Sequence, residues 1–133
     1  MNTLILILLL IIAGCNDKVT NEITFEGESE NWEVTLSYKL SGNETYETYT
    51  LNYKNSNISD KTKVKFQFSS IVNNKILPPF AFGEITLGKD FKIESTSTSG
   101  AKMPSNNEIF DVSIEWEGKK ESIRLTSKRV GRY

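Results

Sequence analysis

The chain has 133 residues, with 16 Lys and Arg against 17 Asp and Glu, a net charge of −1, one cysteine and no histidine. Near-balanced charge leaves no long-range field to draw it to nucleic acid, and the missing histidine removes the commonest general base and the commonest zinc ligand. A single cysteine excludes an intramolecular disulfide, so the fold must rest on apolar packing and backbone ladders.

The first segment is the least ordinary. Leu4 to Ile12 contains only Leu and Ile; it is well short of the ~20 residues that span a bilayer but matches a signal-peptide apolar region. Small residues, Ala13 and Gly14, come next, and then the lone Cys15. Ile12-Ala13-Gly14-Cys15 resembles the lipobox of bacterial lipoproteins. The resemblance implies that residues 1–14 are a signal peptide and that the mature chain starts at a Cys15 joined to diacylglycerol, with palmitate-type acyl chains. Two such chains hold a protein stably on a membrane, since each buried methylene contributes ~0.8 kcal/mol. The implied address is the extracytoplasmic face of the cell membrane. Met1-Asn2-Thr3 carries no Lys or Arg, which departs from the usual positively charged start. Residues 15–22 then read as the lipidated cysteine and a short polar tether. Its reach is ~25 Å at ~3.3–3.6 Å per residue, so the domain is expected close to the membrane surface.

From Ile23 onward the dominant period is two. Ile23 and Phe25 open a strand; Trp32, Val34, Leu36, Tyr38 and Leu40 then alternate with Glu33, Thr35, Ser37 and Lys39, the pattern of a half-buried strand. Ser41-Gly42-Asn43 signals a turn. Thr45 to Lys54 is rich in Thr and Tyr and reads as the next strand, with Tyr46 opposite Leu51 and Tyr53 on the alternation. After a polar loop from Asn55 to Lys61, Val64, Phe66 and Phe68 alternate with Lys63, Lys65, Gln67 and Ser69. Asn73-Asn74 and Pro78-Pro79 interrupt the next stretch and predict a loop or edge segment. Ile85 and Leu87, then Phe91 and Ile93, form short runs around Gly88-Lys89-Asp90, as in a hairpin or bulged strand. Ser95 to Asn107 is polar and predicts a long loop. Phe110, Val112, Ile114 and Trp116, then Ile123 and Leu125 beyond Gly118, predict a C-terminal hairpin.

About seven short strands with turn signals and no helical period predict an all-β domain over residues 23–128, with 129–133 as a basic tail. The expected architecture is an antiparallel immunoglobulin-like β-sandwich, with a small β-barrel as the alternative, preceded by the short apolar signal segment. Two stretches, Gly27-Glu28-Ser29-Glu30-Asn31-Trp32 and the run from Ile114-Glu115-Trp116-Glu117-Gly118 to Leu125, resemble landmarks in a group of small Bacillus-type Firmicute lipoproteins without an assigned activity. That resemblance implies the lipoprotein address and supplies no catalytic residues.

Candidate functional residues are few. Glu26, Glu28, Glu30 and Glu33 lack the spacing of a calcium loop, so no metal or cofactor is expected. Trp32 and Trp116 could stack on a sugar, but their phase assigns them inward. Tyr46 is the better exposed aromatic. Pro78-Pro79-Phe80-Ala81-Phe82 is the leading partner-binding candidate, a stiff proline pair presenting two phenylalanines; the plainer reading is that Phe80 or Phe82 plugs the end of the core. No Gly-x-Ser-x-Gly elbow or other activating group accompanies the Ser95–Ser99 hydroxyls, so catalysis is not expected. The expected role is therefore a binding module for an envelope protein or wall component. The alternatives are an inhibitor or immunity-type lipoprotein and a structural part of an envelope assembly.

Overall fold

The computed structural model describes residues 21–99 and 102–128. Cys15, the leader, residues 16–20 of the tether and the 129–133 tail lie outside the described residues.

Nine strands succeed one another among the described residues: β1 (Asn21–Glu28), β2 (Trp32–Ser41), β3 (Glu44–Tyr53), β4 (Lys63–Val72), β5 (Lys75–Ile76), β6 (Ala81–Thr86), β7 (Lys92–Ser99), β8 (Ile109–Trp116) and β9 (Lys119–Ser127). All pairings are antiparallel. They form one curled sheet in the order β5-β4-β8-β9-β1-β2-β3-β7, with β6 also paired to β4. The expected antiparallel all-β architecture is present as an open, curled sheet, sandwich-like in its packing and barrel-like in its curl. Strand β1 begins at Asn21, opposite Leu40, so the tether gives up its last two residues to the sheet.

The halves β7-β3-β2-β1 and β4-β8-β9 are joined where Phe25 and Glu26 register with Ser127 and Thr126. Because the sheet folds over at that seam, inward residues of one half face those of the other. Phe25 meets Phe110 edge-on at 4.8 Å, Trp32 meets Trp116 at 5.5 Å, and Tyr49 lies 5.0 Å from Phe68. Around these pairs Val34, Leu36, Leu51, Val64, Val112, Ile114, Ile123 and Leu125 are almost wholly buried. Both tryptophans are therefore core residues, as their phase predicts, although the Trp32 indole N–H has no acceptor among the described residues.

Two tight turns use their sequences in the same way. Asn73 and Asn74 between β4 and β5 have φ of 52° and 62°, and Glu117 and Gly118 between β8 and β9 have 48° and 73°. Positive φ at both central residues is the type I′ signature, which matches the right-handed twist of paired strands.

Two expectations are corrected. Ser95–Ser99 belongs to β7, in register with β3 from Tyr49–Ser95 to Thr45–Ser99, and only the chain beyond it remains as a loop. Hydroxyl-rich sequence suits an edge strand whose neighbour supplies partners, as the 2.9 Å contact between Thr48 Oγ1 and Thr96 Oγ1 illustrates. Nor do the runs flanking Gly88-Lys89-Asp90 form a hairpin, because β6 pairs with β4 and β7 with β3. That turn instead carries the chain from one half of the fold to the other. It is held by Leu87 N–H to Thr62 C=O, Gly88 N–H to Asp60 C=O and Tyr53 N–H to Phe91 C=O.

The two landmark stretches of the sequence meet in space. Ser29 Oγ donates to Glu121 Oε1, Asn31 N–H donates to the same oxygen at 3.1 Å, and Asn31 Nδ2 donates to Oε2 at 2.6 Å. Next to this clasp Trp32 packs on Trp116, and Gly27 lies against the Arg124 backbone. Both motifs thus have a structural reason to be where they are.

Partial burial pushes the Glu121 pKa up, but the Ser29 and Asn31 donors and the nearby Lys54 charge outweigh it, and the net shift is downward. A depressed carboxylate stabilises the fold above its unfolded pKa and loses that contribution as pH falls through the folded value. Glu121→Ala should cost about 2 kcal/mol near neutral pH, by loss of charged hydrogen bonds. Glu121→Gln should flatten the fall in stability between about pH 6 and pH 3. Urea titrations across that range check both; an unchanged pH dependence in the Gln variant would remove Glu121 as the acid-sensitive group.

Candidate functional site

The arrangement least explained by packing lies along the open edge beside β4. Strand β4 alternates cleanly: Val64, Phe66 and Phe68 point into the core, while Lys63, Lys65 and Gln67 point out. Its free side is taken by β6 over Lys63–Phe68 and by β5 over Ile71–Val72. Between these, Leu77 N–H donates to Ser70 C=O and Phe80 N–H to Phe68 C=O, both at 2.9 Å. Pro78 and Pro79 have no N–H to offer. The prolines thus sit, exposed, where one continuous edge strand is interrupted.

Phe80 and Phe82 diverge across this break. Phe80 is 43% exposed, but one side of its ring packs 5.7 Å from Phe110 and 6.3 Å from Phe68. Part of the core-plug reading therefore holds for it. Phe82 registers with outward-facing Gln67 and is 74% exposed, the most exposed of the large apolar residues described. The plug reading fails there, because the alternation that buries Phe66 and Phe68 turns Phe82 to solvent.

Phe82 borders a shallow groove of about 370 Å³ whose other walls are Glu84 on β6, Lys65 and Gln67 on β4, and Ser113 and Glu115 on β8. Gly83 lets β6 lie close over the core, for a Cβ there would be 3.2 Å from Phe66 Cζ. Across the outer face, register aligns Glu84, Lys65, Glu115 and Lys120 in a row of alternating sign. Lys120 Nζ lies 3.9 Å from Glu115 Oε1. These exposed contacts contribute little to stability, but they give the face a charge pattern beside one large apolar side chain.

Tyr46 is not part of this face. It stands on β3, between Lys39 and Thr98, on the outer surface of the other half of the fold. Its hydroxyl donates to Glu44 Oε2 at 3.1 Å, and the carboxylate raises the phenol pKa. A binding surface joining Tyr46 to Phe82 is therefore ruled out by the topology.

Sequence reading missed several residues here. Val72, Ile76, Leu77 and Ile85 are all 40% exposed or more. Ile85 is in phase with buried Val64 through their pairing, so its pattern signals core; it stays exposed because β6 is the last strand on its side. Glu28 and Glu33 are register partners across β1 and β2 and line one shallow groove with Glu26, but no group able to hold a metal ion occurs among the described residues. Comparison with protein-family models, curated proteins and solved structures gave no match to this chain.

Proposed function

We propose that the protein is a lipid-anchored interaction module of the extracytoplasmic cell envelope, and that the β6 edge is its partner-binding surface. The observation that carries the second half is Phe82, an aromatic side chain 74% exposed on an edge strand, beside a groove with alternating charge. Edge strands are usually blunted by charge, proline or a covering loop, because their unpaired backbone invites another strand. Here Pro78 and Pro79 stand ahead of β6, and Glu84 is the one charged residue on the strand itself. An extended segment of a partner protein can add to β6 by backbone pairing, with an apolar side chain against Phe82 and a basic one continuing the charge row past Glu84. The first half of the reading rests on Ile12-Ala13-Gly14-Cys15 and the apolar run before it.

A photo-crosslinking amino acid placed at Phe82 in the full chain, in cells, should capture a discrete protein that the same group at Tyr46 does not. Phe82→Ala should weaken retention of that protein about tenfold or more, the effect of losing an aromatic anchor. It should leave stability within about 0.5 kcal/mol, as expected of an exposed position. Unchanged retention by a folded Phe82→Ala protein would sink the edge as the binding surface.

A further inference from the structure

The exposed apolar residues spread along one side of β4 when placed by register. Phe82 and Ile85 lie along the middle and far part of the β6 edge, Phe80 precedes β6 opposite Phe68, and Val72, Ile76 and Leu77 stand at one end of the fold, around the Asn73-Asn74 turn. That end is also where β1 begins at Asn21, where the β2–β3 turn lies, and where β9 finishes at Ser127. Strands β4 and β1 are separated in the sheet by β8 and β9, three strand spacings or ~14 Å along it. The domain end of the tether and the cluster around Val72 therefore share one end of the fold.

We propose that this end of the fold rests on the lipid bilayer, with Val72, Ile76 and Leu77 inserted at the interface. The proposal rests on anchoring through Cys15 and adds to it the orientation of the domain. Six residue steps separate Cys15 from Asn21, a reach of ~20 Å when fully extended. Strand β2 alone has 10 residues, so the opposite end lies ~30 Å further off. A tether that short brings the Asn21 end to the membrane first. The apolar side chains there are rigidly held: the two-residue turn fixes β4 against β5, and Leu77 is tied to Ser70.

Charge at this end is balanced: Lys39, Lys75, Lys102 and Lys128 stand with Glu22, Glu26, Glu44 and Glu108, and Lys128 Nζ lies 3.5 Å from Glu26 Oε1, so the short tether and the apolar side chains carry the orientation. A small apolar cluster suits interfacial attachment, in which side chains enter ~5–10 Å below the headgroups.

The two native tryptophans make the test clean, because both are buried, at 0% and 2% exposure, and cannot meet lipid. The full chain, expressed with lipidation, would be reconstituted in vesicles of phosphatidylglycerol and brominated phosphatidylcholine. Leu77→Trp, and Ile76→Trp as a second variant at a more exposed site, should gain fluorescence that brominated lipid quenches about twofold or more, given that insertion depth. Lys89→Trp, in the turn at the opposite end, should not be quenched. Flotation reads the anchor separately: wild type should float with vesicles and Cys15→Ala should not. Flotation with equal quenching at both ends, or with none at Leu77 and Ile76, overturns the orientation alone. A wild-type chain that fails to float overturns the anchor and the orientation with it.

Discussion

Gly27→Ala is expected to lower the stability of the fold by about 3 kcal/mol, at the upper end of the cost of overpacking a well-filled interior. Gly27 lies one residue beyond the two registered pairs that join β1 to β9. A Cβ placed on it would stand 2.3 Å from the Arg124 carbonyl oxygen, 2.9 Å from Ile123 Cγ2 and 3.1 Å from Leu125 Cδ2. The nearest of these is backbone, which cannot rotate away as a flexible side chain can. The clash can be relieved only by separating β1 from β9, and that seam is where the sheet folds over. Urea unfolding should show a midpoint lower by ~1–2 M, taking a slope of ~2 kcal/mol/M for a domain of this size. An unchanged midpoint would mean that the close crossing of β1 over β9 does not exist in solution.

Trp32→Ala is expected to cost as much or more, about 3–5 kcal/mol, the usual range for truncating a buried large aromatic. Trp32 is fully buried and meets Tyr53 edge-on at 5.1 Å as well as Trp116 at 5.5 Å. The informative comparison is Trp32→Phe. The indole N–H of Trp32 is buried without an acceptor among the described residues, and such a donor carries a desolvation penalty of about 1–3 kcal/mol. Phenylalanine removes that penalty while leaving a small void worth about 1 kcal/mol. The two effects oppose each other, and Trp32→Phe should fall within about 1 kcal/mol of wild type. Paired denaturation curves decide the matter: similar large losses in both variants would mean that the indole nitrogen is satisfied by an ordered water.

Much of this fold is legible in single strands. Trp32 to Leu40 and Phe110 to Trp116 announce their inward residues by alternation, and the structure buries Trp32, Val34, Leu36, Tyr38, Phe110, Val112, Ile114 and Trp116. Period two is a local property of extended backbone, and wherever one face meets a core the sequence must carry it. The same reasoning stops at the sheet margins. Thr96 and Thr98 form part of β7 without any apolar signal, since an edge strand can draw its stability from backbone pairing to β3. Ile85 has the phase of a core residue and remains 40% exposed.

The candidate site divides in the same way. Phe82 and the proline pair stand out in the sequence as apolar and stiff, but whether Phe82 points in or out depends on its register with Gln67. Lys65, Glu84 and Glu115 look ordinary until β4, β6 and β8 are laid side by side, because a charge row across strands joins residues distant along the chain. Likewise Val72, Ile76 and Leu77 acquire meaning only from sharing an end of the fold with Asn21.

The sequence by itself determined the all-β class, the inward faces of the strongly alternating strands such as Trp32–Tyr38 and Phe110–Trp116, the turns at Gly42 and Gly118 and the expectation of a lipidated Cys15, because each is written in neighbouring residues. The tertiary structure alone decided which strands pair, where the sheet folds over at Gly27, which two edges stay open and which apolar side chains remain in water. Those outcomes depend on contacts between residues far apart in the chain, and no local period encodes them.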